Sequence, residues 1–95
     1  MSEGGLERIV ITVIGKDRIG IVAGVSSLLA SMGANIVDLS STQMRDLFVM
    51  VLLAEIDPSR TPLIKLQEAL NEKARELGVQ VVAQHENIFK YMHRI

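Results

Sequence analysis

The spacing of apolar residues along the chain predicts four strands and two helices. Residues 8–14 are almost wholly apolar and β-branched, which is typical of a central strand with both faces covered. Residues 35–44 become polar after their first positions, which favours an edge strand, and the Arg45–Asp46 turn leads into a further apolar strand. In chain order, the predicted strands are 8–14, 35–44, 47–56 and 79–83, and the predicted helices are 21–32 and 62–77.

Both predicted helices have one apolar stripe and recognisable ends. The first ends at Gly33, and small uncharged residues on its outer face permit close approach by another chain. Thr61 is the predicted N-cap of the second helix, with Pro62 at its first position and Gly78 after its last turn. The charged residues of the second helix lie opposite its leucines, and we interpret them as a solvated surface.

The order βαββαβ predicts an α+β, ferredoxin-like sandwich with a four-stranded antiparallel sheet and two helices on one face. We expect a flexible N-terminus over residues 1–5, one domain over residues 6–85, and a short amphipathic helical extension over residues 86–95. The extension either covers an exposed edge or face of the sheet or serves as a lid or dimer contact. Because the strands are apolar on both faces and the helices cover only one, we also expect a homodimer.

The composition excludes several classes of function. A net charge of −1 lacks the basic excess that binding to nucleic acid or to an anionic membrane requires. There is no cysteine, which excludes disulfides, thiolate metal sites and thiol catalysis. No charged residue occurs from Ile19 to Val37, but the Gly33–Asn35 break favours a soluble helix and strand over a membrane span. We therefore expect a small cytoplasmic protein, and its hydrophobic fraction of 48% indicates contact with another chain.

Residues 15–21, with the sequence GKDRIGI, are the first candidate for a functional site. They join a predicted strand to a predicted helix, where unpaired N–H groups and a partial positive charge favour small anionic groups. Asp17 and Arg18 add one charge of each sign, so a zwitterion such as a free amino acid would find both donors and an acceptor. The alternative is structural: Asp17 caps the helix and the glycines form the turn.

Two stretches of the sequence resemble a known family. Residues 15–22 (GKDRIGIV) and 33–38 (GANIVD) are similar to ACT domains, which are small regulatory modules that often bind amino acids at subunit interfaces. The resemblance extends over residues 6–83 and is strongest to the free-standing single-ACT group UPF0237, with related modules in formyltetrahydrofolate deformylases and glycine-cleavage regulators. It implies an allosteric regulator rather than an enzyme. This regulator would have no cofactor and would form a homodimer or higher oligomer, and its partner enzyme or regulator is not identified by the sequence.

The resemblance also implies a ligand site. Asp17 would accept the ammonium group of an amino acid, Gly20 would let the ligand approach the backbone, and the amides of residues 19–21 would contact its carboxylate. Two further residues would come from the neighbouring subunit. The implied ligand-binding residues are Asp17, Arg18, Ile19, Gly20, Ile21, Asn35 and Ile36. The sequence departs from the family pattern at Ile19, where proline is common, and at Asp17, where many relatives have asparagine. The charge of Asp17 would favour an ammonium and repel an acidic side chain.

Other functions of the same fold lack their characteristic residues. Residues 15–20 do not have the arginine-terminated phosphate loop that an acylphosphatase requires, and we expect no catalytic residues. His85 and His93, with Glu86 as the only nearby carboxylate, favour a structural role over a metal site. RNA binding requires exposed aromatic side chains on the central strands, where Phe48 is the only candidate. The remaining alternative is a ligand-free interaction or oligomerisation module that acts on a metabolic enzyme or regulator.

Overall fold

Four strands and two helices follow one another in the predicted order in the computed structural model, which describes residues 5–88. The strands pair antiparallel in the order β2-β3-β1-β4, which confirms the predicted α+β, ferredoxin-like topology. The elements are β1 Glu7–Gly15, α1 Arg18–Ser31, β2 Asn35–Met44, β3 Leu47–Ile56, α2 Leu63–Leu77 and β4 Gln80–His85.

The predicted terminal segments lie only partly within the described residues. Residues 86–88 begin a helical turn directly after β4, in agreement with the predicted C-terminal extension. Residues 89–95 of that extension, and residues 1–4 of the predicted flexible N-terminus, lie outside the described part of the chain. The domain limits therefore stay predictions.

The core lies between the two helices and one face of the sheet. Along β1, the side chains of Ile9, Ile11 and Val13 are fully buried and point towards the helices, while the alternate residues point to the opposite face. The register places Ile9 beside Ala54 and Ile11 beside Leu52 on β3, so that the central strands share one apolar face. The helices complete this core with Ile21, Val25, Leu29, Leu66 and Leu70.

The start of α2 differs from the prediction by one residue. Pro62 is the N-cap residue with extended backbone angles, and no side chain caps the helix. The hydroxyl of Thr61 instead donates to the carbonyl oxygen of Met32 at 2.8 Å, which ties the loop before α2 to the end of α1. The predicted N-cap role of Thr61 was therefore wrong, because a tertiary contact with the first helix takes its hydroxyl. The end of α2 is as predicted, since Gly78 adopts the left-handed conformation with φ of 68°.

One long edge of the sheet carries no covering element among the described residues. β2 forms this edge and is exposed over its whole length except for the half-buried Ile36, with a bulge between Ile36 and Asp38. α1 packs against β1 and β2, whereas α2 lies over β4. We call the outer flank of α1 together with the free edge of β2 the edge surface. Its exposed apolar side chains are Ile19, Val22, Val37, Leu39 and Met44.

Within residues 5–88, neither helix is long and apolar enough to cross a membrane.

Candidate functional site

Asp17 sits between β1 and α1 and caps the helix. Its carboxylate oxygen Oδ1 accepts a hydrogen bond from the backbone N–H of Gly20 at 3.1 Å, and its carbonyl oxygen accepts from the N–H of Ile21 at 2.9 Å. Asp17 therefore has the helix-capping role that was one of the two alternatives for this loop. The carboxylate can still bind a ligand, because an ionised aspartate can accept several further hydrogen bonds through Oδ1 and Oδ2.

Gly20 has a steric reason to be glycine. A Cβ atom at this position would lie 2.5 Å from Oδ2 of Asp17, which is far inside van der Waals contact. The absence of a side chain at Gly20 thus makes room for the capping carboxylate itself. This is a different reason from the ligand approach that the resemblance implies.

We expect the effect of Gly20→Ala on stability to depend on the residue at position 17. With Asp17 present, the alanine should displace the cap at a cost of about 1 kcal/mol, which offsets its gain in helix propensity, so the unfolding free energy should change little. In an Asp17→Ala background no cap remains to be displaced, and Gly20→Ala should stabilise by about 0.5–1 kcal/mol through helix propensity. Urea unfolding of the four proteins at one protomer concentration measures both values. An equal change of unfolding free energy in both backgrounds would contradict the steric account.

The remaining donors of the loop are at the first turn of α1. The N–H groups of Gly20 and Ile21 already donate to Asp17. Because the first N–H groups of a helix have no acceptor within the helix, those of Arg18 and Ile19 are the ones that a ligand could use. The side chain of Ile19 is 75% exposed, whereas that of Ile21 is buried in the core. Arg18 and Ile19 line a shallow hollow of about 330 Å³ together with Val22 and Ala23. A small anion at this turn would therefore lie against an apolar wall with an arginine at its rim.

Asn35 and Ile36 lie at the other end of the sheet. Asn35 pairs with Glu55, which pairs with Arg8, whereas the loop follows Gly15 at the far end of β1. The register steps from Arg8 to Gly15 correspond to a distance of about 23 Å. Within one protomer, the structure therefore does not bring Asn35 and Ile36 to the loop that holds Asp17.

A wider cleft elsewhere contains none of the predicted site residues. It has a volume of about 570 Å³ and lies between the end of α1 and the start of α2, with Asp57, Arg60 and Lys65 among its lining residues. The pKa of Asp57 is lowered because the hydroxyl and the N–H of Ser59 donate to its carboxylate at 2.7 and 3.0 Å. This carboxylate therefore stabilises the turn of its own loop. This cleft was not predicted from the sequence, in which the Asp-Pro-Ser-Arg loop at residues 57–60 is its local signal.

Residues 5–88 contain no group of three histidine, aspartate or glutamate side chains that could hold a metal ion.

A family model with the description ACT domain matches residues 7–84 of the chain. The UPF0237 protein MJ1558 of Methanocaldococcus jannaschii is 51% identical over 90 residues, which cover 95% of this chain and all of that protein. The resemblance seen in residues 15–22 and 33–38 is thus confirmed over nearly the whole length.

Solved structures show the same architecture. An ACT domain protein from Streptococcus pneumoniae is 34% identical with a TM-score of 0.78, covering 88% of this chain and 94% of that one. A formyltetrahydrofolate deformylase from Pseudomonas syringae pv. tomato is 26% identical with a TM-score of 0.70, over 83% of this chain but only 28% of the longer enzyme. A protein assigned as a glycine cleavage system transcriptional repressor shares the fold at 24% identity and a TM-score of 0.75, over 84% of this chain and 46% of that one.

Proposed function

This chain belongs to the ACT domain family, and from that premise we propose that it is a homodimeric regulator that binds a free amino acid at the interface between its two protomers. In this role it performs no catalysis and responds to the cytoplasmic amino-acid pool. The observation that supports the proposal is the position of the two predicted half-sites. The first half-site is the loop of residues 17–21, and the second is Asn35 with Ile36. They lie at opposite ends of one protomer, and a second protomer paired at the β2 edge would bring them closer together.

Two-fold symmetry explains how the half-sites would meet. When two copies of an edge strand pair antiparallel about a two-fold axis, the start of one strand lies opposite the end of the other. With the axis near the middle of β2, the partner's Asn35 would lie beside Met44. Met44 is at the same end of the sheet as Gly15, because Gln43, Phe48 and Gly15 are in register. Such pairing would also cover the exposed apolar side chains of the edge surface.

The chemistry of the loop fits a zwitterionic ligand of modest affinity. In this proposal the amides of Arg18 and Ile19 donate to the carboxylate of the ligand, and Oδ2 of Asp17, which does not accept from Gly20, accepts from its ammonium. Hydrogen bonds to charged groups contribute about 1.5–3 kcal/mol each. After the cost of association, two or three of them give dissociation constants of roughly micromolar to millimolar. A ligand that bridges the protomers would favour one dimer arrangement and so couple binding to a partner enzyme or regulator.

Thermal denaturation in the presence of each of the twenty amino acids tests the proposal. We expect at least one of them to stabilise the protein, by about 2.7 kcal/mol when it is present at 100 times its dissociation constant. The Asp17→Ser variant should lose most of this stabilisation while keeping its unliganded stability, because serine caps a helix about as well as aspartate. Asp46→Ser is the matched control, since Asp46 is an exposed carboxylate on the turn at the same end of the sheet.

Two results would contradict the proposal. Light scattering at micromolar concentration that gives a mass of 10.4 kDa, rather than twice that value, would exclude the dimer. Stabilisation by none of the twenty amino acids, in a protein that is nevertheless dimeric, would instead favour a ligand-free interaction module. The edge surface supports this second candidate, because Ile19 and Met44 are 75% and 61% exposed.

A further inference from the structure

The sheet ends on its second side at β4, where another strand could be added. Among residues 5–88, β4 pairs only with β1, so alternate residues of β4 direct their N–H and C=O groups away from the sheet. Val82 on this strand is 53% exposed, and Ile64 on the neighbouring helix α2 is 58% exposed. Backbone groups and apolar side chains are therefore found together at this edge.

The sequence of β4 lacks the features that commonly protect an edge strand. Its residues, QVVAQH, include no lysine, acidic residue or proline. The pairing of residues 80–85 with β1 also runs without a register shift, so the strand has no bulge over this range. A regular and uncharged edge of this kind readily accepts a strand from another chain.

A side chain of α2 contacts the backbone of this edge strand. Nε2 of Gln67 donates a hydrogen bond to the carbonyl oxygen of Ala83 at 2.8 Å, and the contact is partly buried. Gln67 and Ala83 also line a groove of about 370 Å³ between α2 and β4, together with Ile64, Asn71 and Val82. A strand added beside β4 would pass along this groove.

We propose that Gln67 closes the β4 edge to a further strand, so that the sheet can be extended only at β2. The amide of Gln67 supplies the hydrogen bond that the N–H of an added strand would otherwise supply to Ala83. A strand that displaced Gln67 would exchange one hydrogen bond for another and would gain nothing at this carbonyl oxygen. It would also have to move the Gln67 side chain out of the groove.

The inference goes beyond the proposed dimer, because it concerns the point at which assembly stops. A dimer paired at β2 would carry one β4 edge at each of its two ends. If these edges accepted strands, dimers would join into a ribbon without a defined length. A closed β4 edge instead limits assembly through the sheet to one pair of protomers.

Replacing Gln67 tests the proposal. We expect Gln67→Ala to assemble as its concentration rises, to a mass at least about twice that of the unmodified protein, because the edge is then open. Alanine suits a helix interior, so the variant should keep the fold. Asn71→Ala is the matched control, since it removes an amide side chain from the same groove one turn further along α2, and its mass should equal that of the unmodified protein.

Sedimentation velocity over a range of protein concentrations measures these masses. Each variant is compared with the unmodified protein, so the result does not depend on whether that protein is itself a dimer.

A second substitution shows whether the new contacts use β4. Val82→Lys places a charge on this strand, and like charges on two paired strands repel each other. The Gln67→Ala/Val82→Lys protein should therefore return to the mass of the unmodified protein. An unchanged mass of Gln67→Ala at every concentration would overturn the proposal. An equal increase in Asn71→Ala, or assembly that persists in the double variant, would overturn it as well, since either result would place the new contact elsewhere.

Discussion

Mixing two variants that each fail to bind ligand, Asp17→Ser and Asn35→Ala, should restore binding at about a quarter of the sites. Each variant alone has a defect in both of its sites. After random exchange, about half of the dimers are mixed, and in each of these one site receives an intact Asp17 from one protomer and an intact Asn35 from the other. The second site of the same dimer carries both substitutions. Isothermal titration with the amino acid that stabilises the unmodified protein measures the stoichiometry before and after mixing.

The controls of this experiment separate three arrangements. Mixing Asp17→Ser with the Asp17→Ser/Asn35→Ala double variant should restore nothing, because no chain in that mixture supplies Asp17. If both residues served a site within one protomer, mixing the two single variants would also restore nothing. If Asn35 had no part in the site, the Asn35→Ala protein would bind by itself. The distance of about 23 Å between the two half-sites along the strands makes restoration the expected outcome.

Gly15→Ala should lower the free energy of unfolding by about 2–3 kcal/mol, the usual cost of forcing extra volume into a packed core. Gly15 ends β1 and is buried. A Cβ atom there would overlap with Cγ1 of Val79 and would lie 2.9 Å from Cδ1 of Ile21, a fully buried core residue. The glycine that begins the candidate loop is therefore needed where β1, β4 and α1 converge, whatever the loop binds.

A second substitution shows whether crowding is the cause. Val79→Ala removes Cγ1, the atom that the new Cβ would overlap, while Cδ1 of Ile21 and Cβ of Val79 stay at 2.9 and 3.1 Å. The double variant should therefore be more stable than the sum of the two single effects by about 1 kcal/mol. Gly5→Ala is the control, because a Cβ atom there meets nothing within 4 Å, and its effect should stay within about 0.5 kcal/mol. Urea unfolding at a fixed protomer concentration gives all four values. Strict additivity would show that Val79 is not the obstacle.

Much of the fold could be predicted because local patterns and the final structure agree. The hairpin is the clearest case: the predicted bounds of β2 and β3 match the observed ones, since the Arg45–Asp46 turn and the change from polar to apolar residues mark both strands. The polar character of β2 also identified it as an edge. The start of α2 could not be predicted to the residue, because the bond from Thr61 to Met32 joins positions 29 residues apart.

The candidate site was less predictable than the fold. The hydrogen bond by which Asp17 caps α1 follows from local sequence preferences, and capping was one of the two alternatives predicted for this loop. The space that Gly20 leaves for the carboxylate depends on the direction of one side chain, which no spacing rule gives. The separation of Asn35 from the loop depends on strand order and register, which involve all four strands rather than the residues of the site.

Because the two half-sites lie at opposite ends of a protomer, the apparent affinity for the amino acid would depend on the concentration of the protein. A protomer by itself would carry two incomplete sites, and its apparent affinity for ligand would fall in proportion to the fraction that is paired. A cell that makes less of this chain would then possess not only fewer sensors but sensors that respond at higher amino-acid concentrations. Ligand in turn would draw protomers together, so that scarcity of the protein and abundance of its ligand would act on the same equilibrium in opposite directions.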